Sequence, residues 1–405
     1  MSYDGIVIGG GAAGMLAAIL AGRSGSRVLL LERNDRLGKK LLITGKGRCN
    51  VTNNCTAAEV LQNTPRNPRF LYSAMEHFPP KSMMELLESL GCPLKTERGS
   101  RVFPVSDRSQ SVLEALKTGL RRSGVTVRTL RATAIETENG AVSAVRAGSE
   151  VIPCKWVILA TGGLSYPTTG STGDGYRMAQ ALGHTVTACE GSLVPLETEG
   201  QDCPDMQGLS LRNVAVKLKN EKGKVLYQDF GELLFTHFGV SGPTVLSASA
   251  HLKGKCTLSI DLKPALEEGK LGERILRDLE QYRNRSMENA LTDLLPRSMI
   301  PVVLRRLAID PQLQANSLKK QDRRDLVELL KNFTVTVTGK RPVAEAIITS
   351  GGIRVCEIDP KTMQSKKVPG LYFAGEIIDC DAYTGGFNLQ IAWATAAAAA
   401  AAVGN

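Results

Sequence analysis

Residues 4–14 read Asp-Gly-Ile-Val-Ile-Gly-Gly-Gly-Ala-Ala-Gly, and this stretch decides the fold class. The apolar run that ends at Ile8 predicts a buried strand, and the alanine- and leucine-rich residues 12–23 predict a helix directly after it. A second apolar run, residues 27–31, completes a strand–helix–strand unit of about 30 residues. The pattern G-x-G-x-x-G begins at Gly9, between the first strand and the helix, as it does in Rossmann dinucleotide-binding domains.

Each part of this unit has a physical role in binding a dinucleotide. The glycines allow a tight turn, a close approach of the pyrophosphate to the backbone, and close packing of the helix on the strand. The helix N terminus offers free amide groups and a partial positive charge to the phosphates. Glu32 ends the second strand, where we expect it to accept hydrogen bonds from the adenosine ribose. The alternative is a glycine-rich turn in an ordinary α/β domain.

A loop rich in glycine and basic residues follows this unit. Residues 39–53 read Lys-Lys-Leu-Leu-Ile-Thr-Gly-Lys-Gly-Arg-Cys-Asn-Val-Thr-Asn, and most of them follow neither helical nor strand periodicity. The lysines and Arg48 are suited to hold anionic groups, while Gly45 and Gly47 allow positive φ angles and present backbone amides. The alternative is a solvated basic loop without a ligand.

Three later segments predict further contacts with the same ligand. Residues 155–163 form an apolar strand that ends in the small-residue loop Ala-Thr-Gly-Gly. In residues 369–379, Glu376 and Asp379 are suited to bind a polyhydroxylated chain. Residues 383–394 predict a helix that begins with two glycines, and we expect its free amides to face the pyrimidine edge of a flavin. We interpret the alanine run that follows as plain helix packing.

The pattern changes near residue 190, which indicates an insertion. Short alternating runs there are typical of antiparallel strands, and a helical, basic stretch follows them. We therefore expect three parts in the chain. They are a discontinuous nucleotide-binding domain (1–190 and 345–405), an inserted β domain (191–269 and 332–344) and a basic helical subdomain (270–331).

The composition excludes several classes of protein. The chain has 405 residues, of which 42% are hydrophobic and 22% charged, so it can bury large cores and is not disordered. Its nine cysteines include no CxxC pair and no cluster with histidine, so we expect reduced thiols, no disulfide framework and no metal site. The sequence shows no signal-peptide pattern and no apolar run of about 18 residues. We therefore expect a soluble, cytoplasmic protein without a membrane partner.

The net charge of +10 suggests a polyanionic partner such as nucleic acid, although it also serves solubility alone. The basic residues concentrate in two regions, the loop after the second strand and the helical stretch. They are Arg33, Arg36, Lys39, Lys40, Lys46 and Arg48 in the first region, and Arg274, Arg277, Arg283, Arg285, Arg305, Arg306, Lys319, Lys320, Arg323 and Arg324 in the second.

Several segments resemble the BaiN/RdsA-like family of NAD(P)/FAD-dependent oxidoreductases, which are relatives of the glutathione-reductase type of flavoprotein. They are Gly9–Gly14 with Glu32, Thr44–Asn53, Gly231–Pro243, Thr349–Ile353, Gly375–Asp379 and Thr384–Gln390. The resemblance covers essentially the whole chain. It implies an α/β fold in which a Rossmann-like FAD-binding domain of the glutathione-reductase type carries an inserted β-barrel-like domain and a helical subdomain.

The motifs and the resemblance together define the residues expected to bind FAD. They are Gly9, Gly11, Ala12, Ala13, Gly14, Glu32, Arg33, Lys40, Thr44, Gly45, Arg48, Cys49, Asn50, Thr161, Gly162, Gly375, Glu376, Asp379, Gly385, Gly386, Asn388, Leu389 and Gln390. A second G-x-G-x-x-G is missing from the middle of the chain. We therefore expect NAD(P)H to be a transient electron donor that leaves before the substrate enters.

The resemblance implies a flavin-dependent reductase, and members of the family are assigned to ribosomal RNA dihydrouridine synthesis, bile-acid reduction and amine oxidation. Because each neutralised phosphate adds affinity for RNA, the basic composition favours ribosomal RNA as the substrate. The leading hypothesis is reduction of a uridine in 23S ribosomal RNA, with hydride added at C6 and a proton at C5. One alternative is a small-molecule flavin reductase or oxidase that acts on a bile-acid-like unsaturated ring or an amine. Another is an RNA-binding protein that keeps FAD as a structural element.

Three residues are candidates for the acid that supplies the proton: Cys49, His237 and Cys380. We expect Lys46 and Arg48 to lower the pKa of the Cys49 thiol and to keep it exposed. An imidazole such as that of His237 donates protons readily near neutral pH. Each of the three is equally compatible with a structural role.

Overall fold

A computed structural model describes residues 2–404 of the chain. Its strands are β1 (Gly5–Ile8), β2 (Val28–Glu32), β3 (Thr52–Asn53), β4 (Leu94–Glu97), β5 (Arg101–Pro104), β6 (Thr126–Thr129), β7 (Ala132–Glu138), β8 (Ala141–Ala147), β9 (Glu150–Pro153), β10 (Trp156–Leu159), β11 (Glu190–Ser192), β12 (Leu196–Thr198), β13 (Ser210–Asn220), β14 (Val225–Thr236), β15 (Gly239–Ser241), β16 (Cys256–Asp261), β17 (Phe333–Lys340), β18 (Ile348–Ser350) and β19 (Leu371–Phe373). Its helices are α1 (Ala12–Arg23), α2 (Lys39–Ile43), α3 (Ala57–Gln62), α4 (Tyr72–His77), α5 (Pro80–Ser89), α6 (Ser109–Arg122), α7 (Asp174–Ala181), α8 (Asp202–Asp205), α9 (Pro243–Ser249), α10 (Glu268–Gln281), α11 (Met287–Ala290), α12 (Ile300–Arg306), α13 (Lys320–Lys331) and α14 (Phe387–Val403).

The chain divides into two compact units. The first unit combines Met1–Ser192 with Val343–Asn405, and the second unit is Leu193–Pro342. Each unit has its own hydrophobic core. The second core contains side chains from both the barrel strands and helices α10 to α13, so the helical stretch 270–331 shares one core with the β domain.

The first unit is built on a parallel sheet with the strand order β19-β10-β1-β2-β6. Strands β1, β2 and β10 are buried along their whole lengths, as expected for parallel strands covered on both faces. The order reverses at β1, because β2 lies on one side of it and β10 on the other. In open α/β sheets, ligands bind beyond the carboxyl ends of the strands at such a switch point.

The turn from β1 into α1 requires glycine for steric reasons. Gly9 has a φ of 108°, and a Cβ atom there would lie 2.5 Å from the carbonyl oxygen of Ala160. A Cβ at Gly14 would lie 1.8 Å from the oxygen of Gly9. These two glycines therefore allow the helix, the turn and the end of β10 to pack together. The predicted Rossmann unit is confirmed.

Helix α14 returns the chain to the first unit and packs through its alanines. Ala394 to Ala400 are almost fully buried, and α14 lies against α1, whose buried face is also rich in alanine. The interpretation of the alanine run as helix packing is confirmed. No helix among residues 2–404 is both long and apolar enough to cross a membrane.

The second unit contains a closed barrel with the order β12-β15-β14-β13-β16-β17. Alternate residues of its long strands are buried, and Val216 and Leu218 of β13 pair with Ile260 and Leu258 of β16. This alternation is what a strand with one face toward a core requires. The expected barrel-like insertion with a helical part is confirmed as the fold class.

Residues 39–53 are more regular than their sequence pattern indicates. They contain α2, a turn at Thr44–Gly47 in which Gly45 and Lys46 are left-handed, and the short strand β3. A helix of five residues is too short to show a period of 3.6, which explains why the pattern hides it. We made no prediction for residues 54–104, where α3, α4, α5, β4 and β5 lie. The buried Met83, Leu86 and Leu87 of α5 do have helical spacing, so a signal for that helix exists.

A buried histidine joins separate parts of the first unit. The Nδ1 atom of His184 lies 3.1 Å from Oε2 of Glu357, and its Nε2 atom lies 2.8 Å from Oγ of Ser365. The Ser365 hydroxyl already accepts hydrogen bonds from the backbone amides of Lys367 and Val368, so it donates its own proton to Nε2. The imidazole is therefore neutral with its proton on Nδ1. Burial lowers the pKa of His184 more than the nearby Glu357 carboxylate raises it.

We expect this histidine to make the stability of the protein fall in mild acid. A group whose pKa is lowered by folding binds more protons in the unfolded chain, so its contribution is complete above about pH 6.5 and declines as the pH falls below that value. The His184→Gln variant should have a flatter dependence of its unfolding temperature on pH between about 6.5 and 5. Thermal unfolding followed by circular dichroism measures this slope. The exposed His77→Gln variant is the control, and equal slopes for all three proteins would contradict the expectation.

Candidate functional site

A large cavity lies at the carboxyl ends of the parallel strands. It holds about 1220 Å³ of empty space that opens to solvent, and all its lining residues belong to the first unit. The ends of β1, β2, β10 and β19 reach it through Ile8, Glu32, Ala160 and Ala374. The predicted cofactor residues that line the cavity are Gly9, Gly11, Ala12, Ala13, Glu32, Arg33, Lys40, Thr44, Thr161, Gly162, Gly375, Glu376, Asn388 and Leu389.

The other predicted cofactor residues are not part of this lining. They are Gly14, Gly45, Arg48, Cys49, Asn50, Asp379, Gly385, Gly386 and Gln390. Several of these have clear structural tasks instead. A Cβ at Gly386 would lie 2.5 Å from the backbone of Thr52, and the Gln390 side chain bonds Thr52 and the carbonyl oxygen of Phe78. These residues fix the start of α14 rather than face the cavity.

The cavity wall at the end of β1 fits a dinucleotide. Gly11 precedes α1, no side chain caps the helix there, and a Cβ at Gly11 would meet no atom within 4 Å. The first amides of α1 therefore face open space, which suits an anionic pyrophosphate. Thr161 also lines the cavity, but its hydroxyl is buried against Gly175 and has no hydrogen-bond partner among residues 2–404. An anionic group bound at this wall would accept hydrogen bonds from the free amides of α1.

Glu32 lies at the end of β2, beside the glycine turn, and is buried. Its Oε2 atom accepts a hydrogen bond from the Gly10 amide at 2.7 Å, and its Oε1 atom accepts two from Asn34 at 2.8 and 2.7 Å. These bonds fix the carboxylate against the glycine turn. Because a carboxylate has about four acceptor positions, Glu32 retains room for a ribose hydroxyl.

A network of polar groups holds Lys40 and Glu376 at the cavity wall. The ammonium group of Lys40 lies 2.5 Å from Oε2 of Glu376 and 2.6 Å from the hydroxyl of Ser165. Oε1 of Glu376 accepts hydrogen bonds from that hydroxyl and from the amide of Thr349, each at 2.9 Å. The Thr349 hydroxyl in turn accepts from the amides of Leu164 and Ser165. Lys40 and Glu376 thus compensate each other's charge at the cavity wall.

Three arginines surround Asp174, which lines the cavity. Arg33, Arg131 and Arg177 each pair with Asp174. Burial by itself would raise the pKa of Asp174, but the three guanidinium groups hold it below its usual value. Arg33, Arg131 and Asp174 all line the cavity, so the cluster leaves a net positive charge there.

The structure corrects the expectation for Cys49. The residue is fully buried in the first core, and burial raises the pKa of its thiol to about 12. Arg48 does not approach the sulfur, because its guanidinium group pairs with Glu97 and Asp107. The prediction of an exposed thiol with a lowered pKa is therefore wrong.

The other two candidate acids lie in different surroundings. Cys380 is buried, and burial raises the pKa of its thiol well above the usual value. Its neighbour Asp379 pairs with Arg66 and does not line the cavity. His237 belongs to the second unit, where it is exposed in the turn between β14 and β15 with its ring edge-on to Phe238.

Sequence reasoning missed four polar residues of the cavity and its supports: Ser165, Thr349, Asp174 and Arg131. Ser165 and Asp174 lie in a segment rich in glycine and hydroxyl groups, and Thr349 begins one of the motifs quoted above. The composition of these segments was the sequence signal that could have identified the three residues. Ser165 bonds Lys40 and Glu376, which lie 125 and 211 positions away from it in the chain. No local sequence pattern indicates contacts over such separations.

Many of the basic residues that we expected to bind RNA form ion pairs within the protein. In the loop region, the ion pairs of Arg33, Lys40 and Arg48 are described above. Lys39 forms a further ion pair there with Asp35. In the second unit, Arg274 pairs with Asp278, and Arg305 and Arg306 share Asp202. By contrast, Arg277, Lys320 and Arg324 are exposed and have no ion pair within the part of the chain that the structure describes. The free positive charge is therefore smaller than the residue count indicates.

The fold and the cavity define a Rossmann-type protein with an FAD-binding domain. The sequence matches the family described as the HI0933-like protein Rossmann domain over residues 3–402. The chain belongs to this family, whose members are FAD-dependent oxidoreductases.

Two relatives match over almost their entire lengths. The chain is 34% identical to the 3-dehydro-bile acid delta(4,6)-reductase of Clostridium scindens, covering 96% of each chain. It is 32% identical to the ribosomal RNA dihydrouridine synthase of Escherichia coli, covering 98% of this chain and 97% of that one. The fold is similar to that of 3-ketosteroid delta1-dehydrogenase from Sterolibacterium denitrificans, with a TM-score of 0.56, 14% identity, and 100% and 99% of the two chains covered.

We expect the pair formed by Lys40 and Glu376 to control the affinity for FAD. In Lys40→Met, the Glu376 carboxylate keeps its place without a cation, so the dissociation constant of FAD should rise by about tenfold or more. In Glu376→Gln, the ammonium group remains available to the cofactor and the loss should be smaller. Titration of the FAD-free protein, followed by flavin fluorescence, measures both values.

The Lys117→Met variant is the control for this titration, since Lys117 pairs with the exposed Glu114 and does not line the cavity. Its dissociation constant should stay within about twofold of that of the unchanged protein. Unaltered binding by Lys40→Met would show that the pair has no part in holding FAD.

Proposed function

We propose that this protein is an FAD-dependent reductase that uses electrons from NAD(P)H to reduce a uridine of 23S ribosomal RNA to dihydrouridine. The observation that carries the proposal is the similarity along the whole chain to a ribosomal RNA dihydrouridine synthase. The cavity at the end of the parallel sheet supports it, because the reaction needs a redox cofactor at a fixed place.

The names of the two relatives describe the same kind of chemistry. Dihydrouridine forms when the C5–C6 double bond of uracil, which is conjugated with the C4 carbonyl group, gains a hydride and a proton. The Δ4,6 double bonds of a 3-dehydro bile acid are likewise conjugated with a ketone. We infer that the reaction of this chain is addition of hydride and a proton to a carbon–carbon double bond conjugated with a carbonyl group.

The residues of the cavity have separate tasks in this proposal. The N terminus of α1 binds the pyrophosphate, Glu32 binds the ribose of the adenosine, and Lys40 with Glu376 binds the remaining polar part of FAD. When bound, FAD supplies two-electron transfer from a reduced nicotinamide to the double bond.

The proton that completes the reaction needs an exposed donor. Cys49 and Cys380 are buried and hold their protons tightly, which makes both poor donors at neutral pH. Of the three candidates, only His237 is exposed, and it belongs to the second unit, whereas residues of the first unit line the cavity.

One observation favours a small-molecule substrate as the second candidate function. The internal ion pairs of Arg33, Arg48, Arg274, Arg305 and Arg306 occupy charges that an RNA-binding surface would use. The relative named a bile-acid reductase also matches along the whole chain. A ring ketone conjugated with a double bond would not need a basic surface.

A direct assay separates these two substrates. The purified protein, reduced by NADPH, is mixed in one arm with unmodified 23S ribosomal RNA and in the other with a 3-oxo-Δ4,6 bile acid. We expect dihydrouridine in the RNA by mass spectrometry and no faster oxidation of NADPH in the steroid arm. Persistent uridine together with rapid turnover of the steroid would reject the RNA proposal and support the second candidate.

Charge reversal at exposed basic residues of the protein tests RNA binding independently of catalysis. Lys320→Glu with Arg324→Glu should weaken binding of 23S RNA fragments and reduce the salt slope of the affinity by about 2, because two phosphate contacts are lost. The FAD content should not change. Lys222→Glu with Lys224→Glu, at the exposed hairpin between β13 and β14, is the matched control. Equal losses in both double variants would mean that the effect is one of net charge alone.

A further inference from the structure

The turn that follows α2 has an unusual backbone. Gly45, Lys46, Gly47 and Cys49 all have positive φ angles, of 56°, 57°, 83° and 61°. Lys46 and Cys49 are not glycines, and L residues disfavour this left-handed region because of contacts with their Cβ atoms. Such a conformation persists only where the surrounding structure enforces it.

The beginning of this turn is part of the cavity wall. Thr44 lines the cavity, and its carbonyl oxygen accepts a hydrogen bond from the Cys49 amide at 3.0 Å. The carbonyl oxygen of Gly45 accepts from the Arg48 amide at 3.2 Å. The left-handed turn therefore fixes the position of Thr44 at the cavity wall.

Arg48 anchors the other end of the turn away from the cavity. Its guanidinium group lies 2.5 Å from a carboxylate oxygen of both Glu97 and Asp107, and 4.1 Å from the centre of the Phe103 ring. Lys95 bonds the same two carboxylates, at 3.4 and 2.7 Å. These groups belong to β4, β5 and the loop after them, which lie far from Arg48 in the sequence.

We propose that Arg48 is a positioning residue that, through Glu97, Asp107 and Phe103, holds the Thr44–Cys49 turn in its left-handed conformation before FAD binds. Arg48 then acts on the cofactor through the turn and not by contact. The inference rests on FAD binding at the cavity and is independent of which substrate is reduced.

The expected size of the effect follows from population arithmetic. If the free protein holds the turn correctly only a fraction of the time, the apparent dissociation constant of FAD equals the intrinsic one divided by that fraction. A clamp whose loss lowers the fraction to about one tenth weakens FAD binding about tenfold. A direct contact between Arg48 and the cofactor would weaken binding in Arg48 variants as well, so the partners of Arg48 must be tested too.

The experiment titrates FAD into the full-length chain after FAD removal, with flavin fluorescence as the readout. The variants are Arg48→Met and the double variant Glu97→Gln with Asp107→Asn, which keeps Arg48 but removes its partners. We expect both to raise the dissociation constant about tenfold. Arg128→Met is the control, because Arg128 pairs with Glu150 at a similar exposure elsewhere in the first unit, and it should change the constant less than about twofold.

Hydrogen exchange supplies a second readout that a general loss of stability would not reproduce. Peptides that span residues 44–50 should exchange faster in both FAD-free variants and regain protection at saturating FAD, while the unfolding temperature of the FAD-free protein stays unchanged. Arg48→Lys, which keeps the charge but loses the planar fork, should be intermediate if a lower unfolding temperature complicates Arg48→Met.

Two results would overturn the proposal. If the double variant binds FAD as tightly as the unchanged protein, or more tightly, while Arg48→Met binds weakly, Arg48 acts by its own charge on the cofactor. If Arg48→Met binds FAD normally, the clamp has no effect. A failure of the unchanged protein to bind FAD would instead reject the proposed function, so the two failures are distinguishable.

Discussion

The close contact between Gly9 and the end of β10 is the constraint on which the first unit depends. Because Gly9 lacks a Cβ atom, the turn after β1 can lie against the Ala160 carbonyl group, and Gly14 lets α1 lie against the turn. This packing places the N terminus of α1 at the switch point of the sheet, where its free amides face the cavity. The orientation of Glu32 follows from the same turn, because Gly10 donates to its carboxylate.

Compensated charge is the second feature that shapes the cavity. Lys40 is opposed by Glu376, and Asp174 by three arginines. Partly buried charges of this kind are stable because each has a partner and further hydrogen bonds. Such pairing also explains why the net charge of the chain is a weak guide to its surface. Basic residues that are close together in the sequence form ion pairs with acidic residues on different elements of the structure.

The strongest sequence patterns predicted the fold well. Parallel strands buried on both faces, glycines at a tight turn and alternating barrel strands all depend on neighbours within a few residues, so local spacing contains the signal. Cys49 shows where such reasoning fails. Its basic neighbours in sequence suggested an exposed thiol, but the left-handed turn directs Arg48 toward Glu97 and Asp107 and leaves the sulfur in the core. The cavity-lining Asp174 and Arg131, and Ser165 with Thr349, which hold Glu376, escaped notice because their partners come from distant parts of the chain.

By itself, the sequence determined the Rossmann unit, the inserted barrel with its helices, and the side chains at the glycine turn, because the steric demands of tight turns and buried strands are written in local patterns. Only the tertiary structure decided which charges face the cavity and which neutralise one another. It also decided that Cys49 and Cys380 are buried and that Arg48 is directed away from the cavity. These outcomes depend on distances between residues far apart in the chain, and on the loss of solvent around each group, which no local spacing encodes.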